Sequence, residues 1–169
     1  MIYNEEIEGI HIYVVPIGDD GSRRERESAA VAALVEEAFG QPFEVEHYEN
    51  GAPYIKGTER YISISHSREV AVLAVSDKPV GVDAEEWRPQ LLRVSSRFMT
   101  PEEHERYSTP DKILEAWTLK EAAYKLLQPN TPATAIALPL QDCRVVASVH
   151  LGPTLITVVC KHDESRSQQ

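Results

Sequence analysis

The stretch RYISISHSREVAVLAVSDKPVGVDAEE, residues 60–86, decides the fold. Its first part, Arg60–Ser65, alternates and puts Ile62 and Ile64 on one face, the period-two pattern of a strand. Val70–Val75 is a continuous apolar run, and Val80–Glu85 reads as another short strand. The breaks between them, His66–Glu69 and Asp77-Lys78-Pro79, are short enough to predict an antiparallel meander. In such a meander the first turn and the far end of the third strand lie at the same end of the sheet. His66 is then expected near Asp83 and Glu85, which share a face because strand side chains alternate.

Upstream, Ile10–Ile17 predicts a strand that stops at the turn-forming Gly18-Asp19-Asp20-Gly21. The first residues are acidic with no small-residue cleavage site, so the N-terminus reads as a first strand, not a signal peptide. Ser22 can cap a helix in which Ala30, Ala33, Leu34 and Ala38 recur at helical spacing up to Gly40. Phe43–Tyr48 predicts a strand, and Asn50-Gly51-Ala52-Pro53 a loop.

Downstream, helices are expected over Gln90–Phe98, Pro101–Tyr107 and Asp111–Leu127. Thr100-Pro101-Glu102-Glu103 supplies an N-cap threonine, a first-turn proline and a glutamate at the third helical position. Pro129 and Pro132 end the long helix. Cys143–His150 and Leu155–Lys161 predict a hairpin around Gly152-Pro153, and the polar tail from Asp163 is expected to be mobile.

The 169 residues make one ordinary domain or two small lobes sharing a core. No apolar run approaches the roughly 20 residues of a membrane span. Cys143 and Cys160 form no CxxC and sit in apolar runs, which predicts a reduced, cytoplasmic protein. With 27 acidic against 17 basic residues, the formal charge of −10 argues against a nucleic-acid partner. Neither GxGxxG nor GxxxxGK[ST] occurs among the few glycines, which argues against Rossmann and P-loop nucleotide sites. The histidines show no HExxH or Cys/His zinc spacing, and there is no GxSxG elbow.

Chemistry can reside in three places. On the long helix, Trp117, Lys120, Glu121, Tyr124 and Lys125 fall within an arc of roughly 140°. Ala116, Leu119, Ala123, Leu126 and Leu127 lie on the opposite, core-facing side. That polar face is also what a solvated helix with an ordinary Glu121–Lys125 pair would show. Asp83 and Glu85 can hold a hard cation if a third oxygen ligand and a phosphate-bearing substrate are present, and Glu121 can supply that ligand. Otherwise they are a solvated strand end. Ser65-His66-Ser67 suits a phosphate better than nucleophilic catalysis, because adjacent residues seldom have the geometry of a Ser–His pair. It also suits a plain exposed turn.

Three motifs in order make the chain resemble the 4′-phosphopantetheinyl transferase superfamily. They are Ile64-Ser65-His66-Ser67, Gly81-Val82-Asp83-Ala84-Glu85, and the run from Trp117 through Lys120, Glu121 and Ala122 to Lys125. Arg97-Phe98-Met99-Thr100, leading to Glu103, resembles the family's phenylalanine-rich segment, and Asn50-Gly51-Ala52-Pro53-Tyr54 its G-K-P-Y loop. The resemblance implies an α+β fold of two related lobes, antiparallel sheets packed with helices, at residues 1–78 and 79–169, with a coenzyme A cleft between them.

It implies transfer of the phosphopantetheine arm of coenzyme A to a serine of an acyl or peptidyl carrier protein, releasing 3′,5′-ADP. Asp83, Glu85 and Glu121 would bind Mg2+, Lys125 would contact the pyrophosphate, and Ser65 and His66 would hold phosphates of the nucleotide. Glu103 is the leading candidate for deprotonating the serine, a role Glu121 or Lys120 could share. Two lobes in one chain imply a monomer. Carriers of this family are acidic, so docking calls for a basic or apolar patch among Arg23, Arg24, Arg26, Arg88 and Arg93. Ala52 stands where the loop has lysine, and Gln128–Thr134 lacks the family's G-x-G turn. These departures keep a second reading open, a noncatalytic homologue that binds coenzyme A or a carrier.

Overall fold

The structure of the chain, a computed structural model, describes residues 1–129 and 131–162. The tail expected from Asp163 lies outside the described residues. The chain begins with a hairpin, β1 (Tyr3–Ile7) and β2 (Ile10–Pro16), turned through Glu8 and Gly9 at positive φ. Sequence reading finds a single strand here because the middle of β1, Asn4-Glu5-Glu6, is exposed and polar, as an edge strand can be. Helix α1 (Arg23–Phe39) starts where expected, with the Ser22 hydroxyl accepting from the Glu25 amide at 3.2 Å. It stops at Gly40, whose left-handed φ of 73° suits a residue without Cβ. β3 (Val45–His47) pairs with β4 (Pro53–Ile55), a strand too short to register in the sequence.

β5 (Tyr61–His66) and β6 (Val70–Ser76) form the first hairpin of the expected meander. The third strand departs from it. β6 already has β2 on one edge and β5 on the other, giving the sheet order β1-β2-β6-β5, so no edge remains for a further strand. After Asp77-Lys78-Pro79 the chain therefore crosses to a second sheet. There β7 (Val80–Glu86) pairs with β9 (Thr154–Lys161), which pairs with β8 (Cys143–Leu151).

Helices α2 (Pro89–Phe98), α3 (Pro101–Arg106) and α4 (Pro110–Leu127) follow β7, and a short 3-10 turn at Ala133–Ala135 precedes β8. Apolar side chains define the layers. Ala30, Leu34 and Val35 of α1 pack on Tyr13, Val15, Leu73 and Val75 of the first sheet. The opposite face, with Ile12, Val14, Val72 and Ala74, meets Val80, Val82, Ala84, Ile156 and Val158 of the second sheet. Ile113, Ala116, Leu119 and Ala123 of α4 join Leu155, Val159 and Leu91 on the outer side. The result is a mixed fold of helices and antiparallel sheets, ordered helix, sheet, sheet, helix.

α4 is buried around more of its circumference than an amphipathic reading allows. Thr118 and Lys120 are buried along with the aliphatic residues, because α2 and the 3-10 turn flank the helix while β7 and β9 lie beneath it. Gly81 permits the close approach to β7: a Cβ there would lie 2.2 Å from the Ala122 carbonyl oxygen. No helix among the described residues is long and apolar enough to cross a membrane.

Candidate active site

The site begins at the seam between the sheets. β5 and β7 lie side by side and run the same way, joined through side chains. The Ser63 hydroxyl accepts from the Val82 amide at 3.0 Å, and the Ser65 hydroxyl from the Ala84 amide at 3.1 Å. Ser65 in turn donates to Asp83 Oδ1 at 3.3 Å. Strand alternation thus gives the serines of Ser63-Ile64-Ser65 a structural use beside any ligand.

Lys125 reaches the same seam from α4. Its ammonium donates to the carbonyls of Ile64 at 3.2 Å and Val82 at 3.0 Å, and pairs with Asp83 Oδ1 at 3.4 Å. One side chain therefore clamps β5 to β7. The Glu121–Lys125 pairing that helix spacing allows gives way to these contacts, although Lys125 still opposes the rise that burial imposes on the Glu121 pKa.

Asp83 is only 4% exposed, so it is no solvated strand end. Its Oδ2 is buried without a hydrogen-bond partner. Burial pushes the Asp83 carboxyl up to about 6 against the pull of Lys125, with Glu121 adding to the rise. Glu85 is pushed up to about 7, first by burial and then by Asp83. Burial also raises Glu121, with Glu85 contributing. The three carboxylates thus crowd one another in a desolvated place, which disfavours their charged forms until a cation arrives.

Asp83, Glu85 and Glu121 line one cavity of about 870 Å³ together with Ser65, His66 and Lys125. The family resemblance implies one site for these six, and strand geometry alone already put His66 near Asp83 and Glu85. Among the described residues no three carboxylate, imidazole or thiol groups close around a metal ion by themselves. The donor set nonetheless fits a hard divalent cation: it is all oxygen, it contains an unpartnered buried carboxylate oxygen, and Mg2+ ordinarily keeps waters and substrate oxygens in its shell. Glu86 is turned away, accepting from the Arg68 amide and the Thr154 hydroxyl.

Glu103 and Lys120 are placed elsewhere. They form a buried pair at 2.9 Å, with 4% and 1% of their surfaces exposed, and neither lines the cavity. Glu103 Oε1 also closes the capping box by accepting from the Thr100 amide at 3.0 Å, and Oε2 accepts from the Leu138 amide at 2.6 Å. Burial works to raise its pKa, but the Thr100, Lys120 and Leu138 donors overcome this and hold it below the ordinary value. This carboxylate is fully engaged. Sequence reasoning also missed Glu27, which lines the cavity from α1 with its Oε1 3.4 Å from His66 Nδ1 and 2.8 Å from Arg23 Nε. An Arg–Glu pair four apart on a helix reads as surface decoration, and nothing in the sequence ties it to His66.

Sequence comparison places the β7 and α4 part of this site in a known class. The profile of the 4′-phosphopantetheinyl transferase superfamily matches residues 79–168, just over half of the chain, and the chain belongs to this family. It is 32% identical to a 4′-phosphopantetheinyl transferase of Bacillus subtilis, over 70% of this chain and 53% of that protein. It is 34% identical to the 4′-phosphopantetheinyl transferase psf-1 of Bacillus pumilus, over 55% of this chain and 44% of that protein. The chain thus spans about half the length of the curated relatives it matches.

Proposed function

We propose that this chain transfers the 4′-phosphopantetheine arm of coenzyme A to a serine of an acyl or peptidyl carrier domain, releasing 3′,5′-ADP. The observation that carries the reading is the convergence of Asp83, Glu85 and Glu121 on one cavity, with a buried Asp83 oxygen left unpartnered. A module that only binds coenzyme A gains nothing from three mutually repelling carboxylates, so the enzymatic reading is preferred to the noncatalytic one. Asp83, Glu85 and Glu121 are the groups to hold Mg2+, which when bound would offset charge on the phosphate under attack.

Lys125 presents its charge from within the seam, and His66 meets the ligand from the end of β5. Glu121 takes the role of base for the serine hydroxyl, because it lines the cavity whereas Glu103 is occupied by three donors. The two sheets with their helices correspond to two lobes that divide near residue 78, and the cavity walls come from both.

The carrier is expected to dock on α2. From Trp87 to Thr100 there is no acidic residue, although the chain carries a net charge of −10. Arg88, Arg93 and Arg97 are exposed there beside Leu92, at the end of β7 where the acidic trio sits. An acidic carrier would be steered to this patch. The test is incubation with coenzyme A, magnesium and a panel of apo carrier domains, read by intact mass. Addition of one phosphopantetheine mass to a carrier establishes the activity. No addition to any carrier, with coenzyme A still bound, returns the reading to a binding homologue.

A further inference from the structure

His66 ends β5, and the turn that follows fixes its backbone. The Ser67 amide donates to the Val70 carbonyl at 2.8 Å, and the Ser67 hydroxyl accepts from the Glu69 and Val70 amides at 3.2 Å. The His66 side chain is held from elsewhere. It is 42% exposed, and Glu27 Oε1 on α1 stands 3.4 Å from its Nδ1. Its other ring nitrogen, Nε2, has no protein partner among the described residues. Both side chains line the cavity.

Glu27 is itself anchored. One helical turn back, Arg23 Nε donates to the same Oε1 at 2.8 Å. That bond holds the Glu27 carboxyl below the ordinary range against its partial burial, with His66 adding to the effect, so Glu27 is ionised at neutral pH. Leu34 and Val35 seat α1 on Leu73 and Val75 of the first sheet, to which β5 also belongs. Carboxylate and imidazole thus ride on two elements packed directly together. A neutral imidazole carries one proton, and a carboxylate opposite Nδ1 places it there. The nitrogen left to take up a second proton is Nε2, which can then donate to an anion.

We propose that Glu27 is a positioning residue, which holds the His66 ring by Nδ1 so that Nε2 is presented to a phosphate of coenzyme A. This rests on the function proposed above and deepens it, because it assigns the group through which His66 is made ready for the ligand. A ring ordered before the ligand arrives does not have to be ordered by it. Arg23 offsets the Glu27 charge, so the ligand meets an anchored imidazole and not a bare carboxylate. Position and charge make opposite demands on Glu27→Gln, which removes the charge at nearly constant shape. Were repulsion the main effect, the variant would bind coenzyme A more tightly; with positioning, it binds more weakly.

The experiment is calorimetry of coenzyme A in magnesium buffer at fixed ionic strength, with wild type, Glu27→Gln, His66→Ala and the double variant. Glu27→Gln should weaken binding about fivefold, the size of one side chain's ordering cost. In the His66→Ala background the same change should matter less than twofold, because the residue through which it acts is gone. Ring-nitrogen NMR of the ligand-free chains at about pH 8 supplies a second readout: wild type should hold the His66 proton on Nδ1, and Glu27→Gln should release it to both nitrogens. Unchanged or tighter binding by Glu27→Gln overturns the proposal, as does an equal loss in the His66→Ala background. A wild-type ring protonated on Nε2 alone overturns it without reference to any ligand. Absence of coenzyme A binding by wild type overturns it together with the function it rests on, whereas a wild type that binds and transfers with an affinity indifferent to Glu27 removes the positioning alone.

Discussion

At the scale of single residues, Asp83 concentrates the tension of the site. It is buried, one of its oxygens has no partner, and the carboxylates of Glu85 and Glu121 line the same cavity. Asp83→Asn keeps the shape and removes the charge. Losing comparable electrostatic stabilisation costs about 10²–10³ in rate, and transfer by this variant is expected to fall by that much. Unchanged transfer in a folded variant would remove Asp83 from the metal site. The same residue shapes stability against pH. Asp83 at about 6 and Glu85 at about 7 retain protons in the folded chain that ordinary carboxylates have already lost. The folded state therefore binds more protons than the unfolded one from about pH 4 to 7, and stability falls as pH rises through that window. Calorimetric melts of the metal-free protein should show Tm declining from pH 5 to 7.5, with a shallower decline in Asp83→Asn. Equal slopes in the two proteins would mean that Asp83 does not carry the effect.

Among the elements, α3 and α4 show how a charged pair can serve architecture beside the candidate site. Glu103 caps α3, holds the Leu138 amide and neutralises Lys120. Removing one partner of a buried pair costs about 3–5 kcal/mol, which for a chain of this size lowers Tm by roughly 10 °C or more. Glu103→Gln should show that loss while the folded variant keeps the wild-type pH profile of transfer. A normal Tm with abolished transfer would instead make Glu103 the base. This pair also marks where the sequence stops being legible. Strand alternation pairs Asp83 with Glu85 and helical spacing pairs Glu121 with Lys125, both by local rules, whereas joining the two pairs rests on the resemblance to the transferase family. Lys120 obeys the same spacing, yet its environment is set by a glutamate on another helix, which periodicity along α4 does not contain. The lost meander has the same origin. The short breaks around β6 are compatible with a three-stranded sheet, and only the arrival of β2, from more than 50 residues upstream, fills the edge that β7 would need.

At the scale of the whole molecule, the cavity is shared between two sheets that exchange few backbone hydrogen bonds. Since β5, β7, α1 and α4 all belong to one chain, a single copy supplies every wall of the cavity, and a monomer is expected. Light scattering should give a mass near 19.0 kDa, and a trimeric mass would refute this. What holds the sheets in register at the site is the Ser63, Ser65 and Lys125 seam. Were Lys125 only a phosphate ligand, its removal would leave the ligand-free fold as stable as before, or more so. As a clamp it must behave otherwise. Lys125→Met keeps most of the aliphatic stem and strips the Ile64 and Val82 carbonyls of a shared donor, while Asp83 loses the cation paired with it. A buried acceptor left unsatisfied costs about 1–3 kcal/mol, and the partial exposure of Lys125 favours the lower half of that range. The ligand-free, metal-free variant is therefore expected to melt about 3–6 °C below wild type. The deficit should persist at pH 5, where Asp83 is largely protonated and its charge no longer contributes. A deficit that vanishes at pH 5 would reduce Lys125 to a counter-ion for Asp83. Wild-type stability at both pH values would show that the sheets do not need the clamp.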